Sequence, residues 1–166
     1  MIPQRLFRAF HGPMLHRHLH RLQGNDRRLR FGVALPDDAI SSYIDNSWGP
    51  TNVWFGVIQD GEIIAAVHIA RDGICAELGL SVDPDWRGQK LGQSLFERAV
   101  VALKARDVKD VYMHCLSENT IVKHIARKNN MVMLTESGET DADLMITGHL
   151  PIDVGTNVFV EQLALY

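Results

Sequence analysis

A strand, a tight turn and a long amphipathic helix follow one another between residues 74 and 106, and a further strand comes directly after. Residues 74–82 are rich in strand formers, and Asp83-Pro84-Asp85-Trp86-Arg87-Gly88 interrupts them. Residues 90–106 then place Leu91, Leu95, Ala99, Ala102 and Leu103 on one helical face, with Glu97, Arg98, Lys104 and Arg106 elsewhere. Residues 111–115 return to strand character. A β-α-β unit of this kind joins two parallel strands through a right-handed crossover. It commits the chain to a sheet with helices packed on it, an α/β (α+β) class.

The flanking segments predict the rest of that sheet. Residues 53–58 and 62–70 are strand runs joined by Asp60-Gly61, a hairpin turn signal. Arg71-Asp72-Gly73 turns the chain into the strand at 74–82, so three strands form an antiparallel meander. A helix is expected over 118–128, ended by Asn129-Asn130, because Asn tolerates the left-handed cap conformation. Strands are expected at 131–134 and 143–147 around a polar loop at 136–141, and residues 158–165 form a terminal element of undecided type. Upstream, Pro13 is read as opening a helix with the stripe Leu15, Leu19 and Leu22. Gly24-Asn25-Asp26 stops or bends it, and Pro36-Asp37-Asp38 starts another. The expectation is one domain over 1–166, a basic helical part at 1–50 leading into a core at 52–150.

Charge divides the chain. Residues 1–30 hold seven Arg and one acid, a balance of +6, whereas the net charge of the 166 residues is -3. A basic arm on an acidic body suits nucleic acid or an acidic partner, or packs on its own body. Leu6, Phe7, Phe10, Leu15, Leu19, Leu22, Leu29 and Phe31 run through the arm and favour the last reading. Aromatics do not alternate with the arginines as a stacking surface for bases requires, which disfavours nucleic acid. The longest apolar stretches, such as residues 63–67, fall far short of the roughly 18–20 residues of a membrane helix. Met1–Phe10 lacks the apolar run of a secretory signal. Two cysteines, Cys75 and Cys115, make no disulfide scaffold, and a reducing, cytoplasmic compartment is the simplest reading.

The chemistry concentrates at the start of the helix at 90–106. First-turn N–H groups have no partner within a helix, and the dipole is positive there. With Arg87 at its mouth the turn suits a phosphate-bearing ligand; an ordinary strand–turn–helix connection is the alternative. The stretch Val82-Asp83-Pro84-Asp85-Trp86-Arg87-Gly88-Gln89-Lys90-Leu91-Gly92 resembles the acetyl-CoA signature of the GNAT superfamily of N-acetyltransferases. Arg87 and Gly92 match, and Lys90 stands where that family usually has its first glycine. Asn119-Thr120-Ile121-Val122-Lys123-His124-Ile125-Ala126-Arg127-Lys128-Asn129-Asn130-Met131 is similar to the family's Asn-led helix. Asn130 takes a glycine's place, and Ala126 replaces a tyrosine that protonates the departing thiolate in many members. The run Ala126-Arg127-Lys128 looks closest to the GNAT domain of bacterial protein lysine acetyltransferases.

The resemblance implies a GNAT fold: a mixed, mostly antiparallel sheet with a central β-α-β acetyl-CoA-binding unit and helices on both faces. It implies an acetyl-CoA-dependent N-acetyltransferase acting on a primary amine, a protein lysine or a small molecule. A non-catalytic acyl-CoA-binding module is the alternative, and a homodimer stays open. Acetyl-CoA is expected on Leu80, Ser81, Val82, Arg87, Gly88, Gln89, Lys90, Leu91, Gly92, Gln93 and Asn119. Leu80 and Val82 would offer a backbone edge to the pantetheine arm, and a backbone N–H near Leu80 would meet the thioester oxygen. An amine must lose a proton before it attacks, and Glu77 is the candidate base; the alternative is a solvated or salt-bridged strand residue. Tyr112, His114, Cys115, Ser117 and water are the candidate proton sources for the thiolate. Cys115 is expected to be a buried, inert thiol rather than a nucleophile. His16, His18 and His20 are read as a solvated helix face rather than a metal site. Trp48 and Trp54 are read as a loop clamp and a core residue rather than a pocket lining, and the acidic stretch at 136–143 as a turn between strands.

Overall fold

The structure, a computed structural model, describes residues 1–146. The element expected at 158–165, and Thr147 of the last expected strand, lie outside the described residues. Among the described residues no helix is long and apolar enough to cross a membrane.

The meander forms as the turn signals require. Strands β2 (Asn52–Gln59) and β3 (Glu62–Asp72) join through Asp60 and Gly61, both at positive φ, 51° and 77°. This is the mirror-image turn whose twist matches that of the strands. Strand β4 (Cys75–Val82) pairs antiparallel with β3 over its whole length, from Asp72↔Cys75 to Ala65↔Val82. Helix α4 (Leu91–Lys104) crosses over to β5 (Asp110–Leu116), which is parallel to β4. Helix α5 (Thr120–Lys128) leads to β6 (Val132–Glu136) and β7 (Glu139–Met145), and β7 inserts between β5 and β6. With the short β1 (Gln4–Arg5) the seven-stranded order is β1-β2-β3-β4-β5-β7-β6. Among the described residues only the β4–β5 pair is parallel.

Alternation along the strands divides the apolar residues between the two faces. Phe55, Val67, Leu78, Val111 and Met113 pack with Leu95, Phe96 and Leu103 of α4 and Ile125 of α5. Trp54, Ile63 and Ala66 point the other way. They pack with Leu15 and Leu19 of α1 (Arg8–His20), Phe31 of α2 (Gly24–Phe31), and Ile40 and Ile44 of α3 (Asp37–Asn46). Trp54 is fully buried and donates its indole N–H to Ser47, while Trp48 packs against this cluster. The basic arm therefore folds onto its own body. Arg17 and Arg21 reach Glu62, Arg21 also reaches Asp83, and Arg28 pairs with Glu118.

Four local readings change. Pro13 lies inside α1, not at its start; Phe7 opens the helix in an extended conformation, and its carbonyl accepts from the N–H groups of Phe10 and His11. Pro13 cannot donate to the Ala9 carbonyl, and Ala9 is an exposed residue. Gly24-Asn25-Asp26 begins a second helix instead of merely ending the first. Residues 136–141 are not a loop: Ser137 and Gly138, at φ 51° and 85°, make a tight hairpin, and β7 starts at Glu139. Thr140 and Ala142 are buried, while Glu139 is exposed and Asp141 half-buried on the other face, so the acidic residues hide an alternating strand. Finally, His18 is completely buried rather than on a solvated face, because it falls on the apolar stripe three residues after Leu15 and four before Leu22.

Candidate active site

The parallel pair β4–β5 is short. Register holds for Cys75↔Asp110, Ala76↔Val111 and Glu77↔Tyr112 and then ends. Beyond Glu77 the strands part, and residues 78–82 keep a strand partner on the β3 side only. A groove follows that free edge. At one end Val82, Arg87, Gly88, Lys90 and Gly92 line it with Ile121 and His124. It continues past Leu80, Ser81, Asn119 and Val122. It opens into a cavity of about 320 Å³ faced by Arg30, Tyr43, His68, Glu77 and His114.

The helix end of the groove has the geometry an anion needs. Gly88 and Lys90 adopt φ of 77° and 62°, and Lys90 caps α4 from the left-handed region with no side-chain cap. That conformation explains why a glycine would suit position 90. The first intrahelical bond runs from the N–H of Ser94 to the Lys90 carbonyl, leaving the N–H groups of Leu91, Gly92 and Gln93 without a helical acceptor. Gly92 permits a close approach, since a Cβ there would stand 3.0 Å from Cδ1 of Ile125. The Arg87 guanidinium is tied back, with Nε donating to the Val82 carbonyl at 3.2 Å and Nη2 2.9 Å from Asp26 of α2. Gln93 lines the groove but uses its amide on Asn129 and Glu97, joining α4 to the end of α5. Gln89 is exposed and does not line the groove.

Midway, Asn119 caps α5: its side-chain oxygen accepts from the N–H of Val122, and its amide nitrogen donates to the Leu29 carbonyl of α2. One residue thus links both walls. Ser81 turns its hydroxyl to Nε2 of His18 at 2.8 Å, while Nδ1 of His18 lies 2.9 Å from Asp83. This contact fixes α1 against the end of β4, and its sequence signal was a histidine on an otherwise leucine stripe.

Opposing charges face each other across the cavity. Burial pushes the Glu77 carboxyl above its ordinary range; Arg30 and His114 pull it back, and Asp141 pushes it up again. Among the described residues no group donates a hydrogen bond to it. His68 is driven down to about 3, by burial first and by the Arg30 charge second, so it is neutral. Its Nε2–H donates to Asn52 Oδ1 at 2.9 Å, which makes Nδ1 an acceptor for the Tyr43 hydroxyl at 2.6 Å. Tyr43 in turn accepts from Nη2 of Arg30 at 2.8 Å. His114 is held by Asp141 at 2.6 Å. Arg30 was not among the residues singled out from the sequence. As one of seven arginines in a basic arm it carried no distinguishing signal.

Of the candidate proton sources, His114 and Cys115 line the cavity and Tyr112 and Ser117 do not. Burial raises the Cys115 thiol, the charge of Lys123 lowers it in part and Asp141 raises it again, which disfavours the thiolate a nucleophile needs. Burial and then Glu77 raise the Tyr112 phenol strongly. Ala126 is fully buried in the core. Asn130 takes the left-handed conformation, φ 56°, expected of a glycine there. No cluster of metal-binding side chains exists among the described residues, His16 and His20 being stacked on each other instead.

The sequence matches the family model described as Acetyltransferase (GNAT) family over residues 18–130. No curated protein matches it. Among solved structures it is similar to the GNAT domain of PAT from S. lividans (14% identity, TM-score 0.75, covering 86% of this chain and 89% of that one). The ribosomal-protein-S18-alanine N-acetyltransferase from Escherichia coli is similar at 16% identity and TM-score 0.68, covering 92% and 96%. The PaiA N-acetyltransferase from Thermoplasma acidophilum, in complex with coenzyme A, is similar at 14% and 0.66, covering 87% and 99%. These likenesses concern the fold. The family match spans more than half of the sequence and includes both the turn at Arg87–Gly92 and the helix led by Asn119, so the chain belongs to the GNAT acetyltransferase family.

Proposed function

We propose that the protein is an acetyl-CoA-dependent N-acetyltransferase that acts on a primary amine. The observation that carries this reading is the parting of β4 from β5 after Glu77, which opens one groove from the uncapped start of α4 to a cavity holding a half-buried carboxylate. The groove fits acetyl-CoA. The N–H groups of Leu91, Gly92 and Gln93, with the charges of Lys90 and Arg87, suit a pyrophosphate. The free edge of residues 78–82, Leu80 and Val82 included, offers backbone groups to an extended pantetheine arm. When bound there, the cosubstrate supplies an activated acetyl thioester.

The chain's own residues supply the rest. Glu77 takes the proton from the acceptor ammonium, directly or through one water, and its raised pKa makes it a stronger base than an exposed glutamate. A backbone N–H near Leu80 serves the developing oxyanion. His114 returns a proton, the role that Ala126 lacks the group to fill; its bond to Asp141 and its place in the cavity lining support this reading. The acetylation takes place in a reducing, cytoplasmic compartment, within one domain that needs neither membrane nor nucleic acid. Buried Ala126 is the observation that favours a non-catalytic acyl-CoA-binding module as the second reading.

The test is Glu77→Gln. It should keep CoA binding, seen as a concentration-dependent rise in melting temperature. It should lower acetyl transfer by about 10²–10⁴-fold, with a smaller loss at high pH where more amine is already neutral. Equal rates of CoA release in both proteins would remove Glu77 from the mechanism. Tight CoA binding by a wild type that acetylates no amine would favour the binding module.

A further inference from the structure

Arg30 presents an unmet charge to the acceptor side of the cavity. Its guanidinium lies flat on β4 at Gly79, where a Cβ would overlap Cζ and both terminal nitrogens, so only glycine admits it. The rings of Phe31 and Tyr43 stand 4.8 and 5.5 Å from Cζ, and Nη2 donates to the Tyr43 hydroxyl. Tyr43 is fixed in turn by neutral His68 and Asn52. The fork is therefore rigid and pre-oriented. Yet Nε is buried without a partner, and among the described residues no carboxylate comes within ion-pair distance of Arg30. A buried donor left unmet is costly, and a cationic fork of this kind is matched by a planar anion.

Glu77 projects from the same face of β4 two residues away, about 6.6 Å along the strand. The two groups influence each other electrostatically but do not pair. A ligand with an anion and an ammonium a few ångströms apart fills that gap and satisfies both. We infer that the acceptor is a zwitterion, an amino acid whose amine stands one to three carbons from a carboxylate, and that Arg30 binds the carboxylate while Glu77 receives the ammonium. Asn46, Ser47 and Asn52 also line the cavity and suit a small polar side chain. Resting on the acetyltransferase reading, this narrows the acceptor to free amino acids and excludes an internal protein lysine, which carries no adjacent carboxylate.

The experiment titrates CoA-saturated protein with the proteinogenic amino acids, β-alanine and 4-aminobutyrate by calorimetry, and repeats each binder as its carboxamide. At least one amino acid should bind, with its carboxamide weaker by about tenfold or more, the worth of one charge-assisted contact. Arg30→Gln should abolish that preference, with CoA affinity and melting temperature showing that the fold is retained. Arg30→Lys, which keeps the charge but loses the fork, should restore part of it. Absence of binding by every amino acid, or equal binding of the carboxamides, overturns the inference. So does an Arg30→Gln loss of acetyl transfer that is the same for carboxylate-free amines, because Arg30 would then be serving the thioester. Amino-acid binding without any acetyl transfer would uphold this inference while removing the acetyltransferase reading.

Discussion

Lys90 holds a backbone conformation that its side chain opposes. A left-handed non-glycine residue costs roughly 1–2 kcal/mol, and glycine relieves this while losing about 0.5–1 kcal/mol of conformational entropy. Lys90→Gly should therefore raise stability by about 0.5–1 kcal/mol, a melting-temperature gain of about 1–4 °C for a chain of this size. Thermal and urea unfolding check this; a loss of stability would mean that the lysine side chain holds contacts outweighing the strain. The same comparison explains what was readable at this scale. Positions fixed by backbone geometry, such as Gly88, Lys90, Asn119 and Asn130, announce themselves in sequence, because few residue types tolerate them. Arg30 and His18 do not, because their roles come from partners 49 and 63 positions away, at Gly79 and Ser81.

Among the elements, α1 is fixed to the end of β4 by charge as well as by leucines. Burial raises the Asp83 carboxyl, but the hydrogen bonds and charges of His18 and Arg21 outweigh it, and the net position is below the ordinary value. A carboxyl lowered on folding stabilises the native state fully above its unfolded pKa of about 3.9 and loses that contribution as pH falls through its folded value. Asp83→Asn should therefore destabilise the protein at pH 7, and the gap to wild type should narrow steadily below about pH 5. Urea midpoints at pH 7, 5, 4 and 3 measure it; a constant gap would show that the carboxylate charge is not what joins α1 to β4. Elements with strong periodicity or turn chemistry, namely β2, β3, β4, α4 and β5, were legible in sequence with shifts of one or two residues at their ends. The β6–β7 hairpin was not, since one face of β7 is acidic and its interior face begins with Thr140 and Ala142, with the half-buried Leu144 as its large apolar residue. Helix α2 was hidden by its Gly24-Asn25-Asp26 start, a sequence that ends helices as readily as it begins them.

At the scale of the molecule, the +6 arm and the acidic body invite an electrostatic account of how α1–α3 come to wall the cavity. Magnitudes argue otherwise. Arg17 and Arg21 meet Glu62 with all three side chains 40–50% exposed, and pairs of that kind contribute about 0–1 kcal/mol. Leu15, Leu19, Ile40, Ile44 and Trp54 are fully buried beneath the same helices, and each such side chain contributes about 1.5–3 kcal/mol. The charge asymmetry accompanies the docking, and the leucine stripe drives it. Since Arg30 reaches Gly79 from α2, whose Phe31 is buried in the same apolar cluster as Leu15 and Leu19, the acceptor wall depends on that cluster. Glu62→Gln should accordingly cost less than about 1 kcal/mol, whereas Leu19→Ala should cost about 2–5 kcal/mol. The two variants, compared by urea unfolding at 0.05 and 0.5 M salt, decide between the accounts. A Glu62 effect as large as that of Leu19, and erased by salt, would mean that charge rather than burial holds the arm in place.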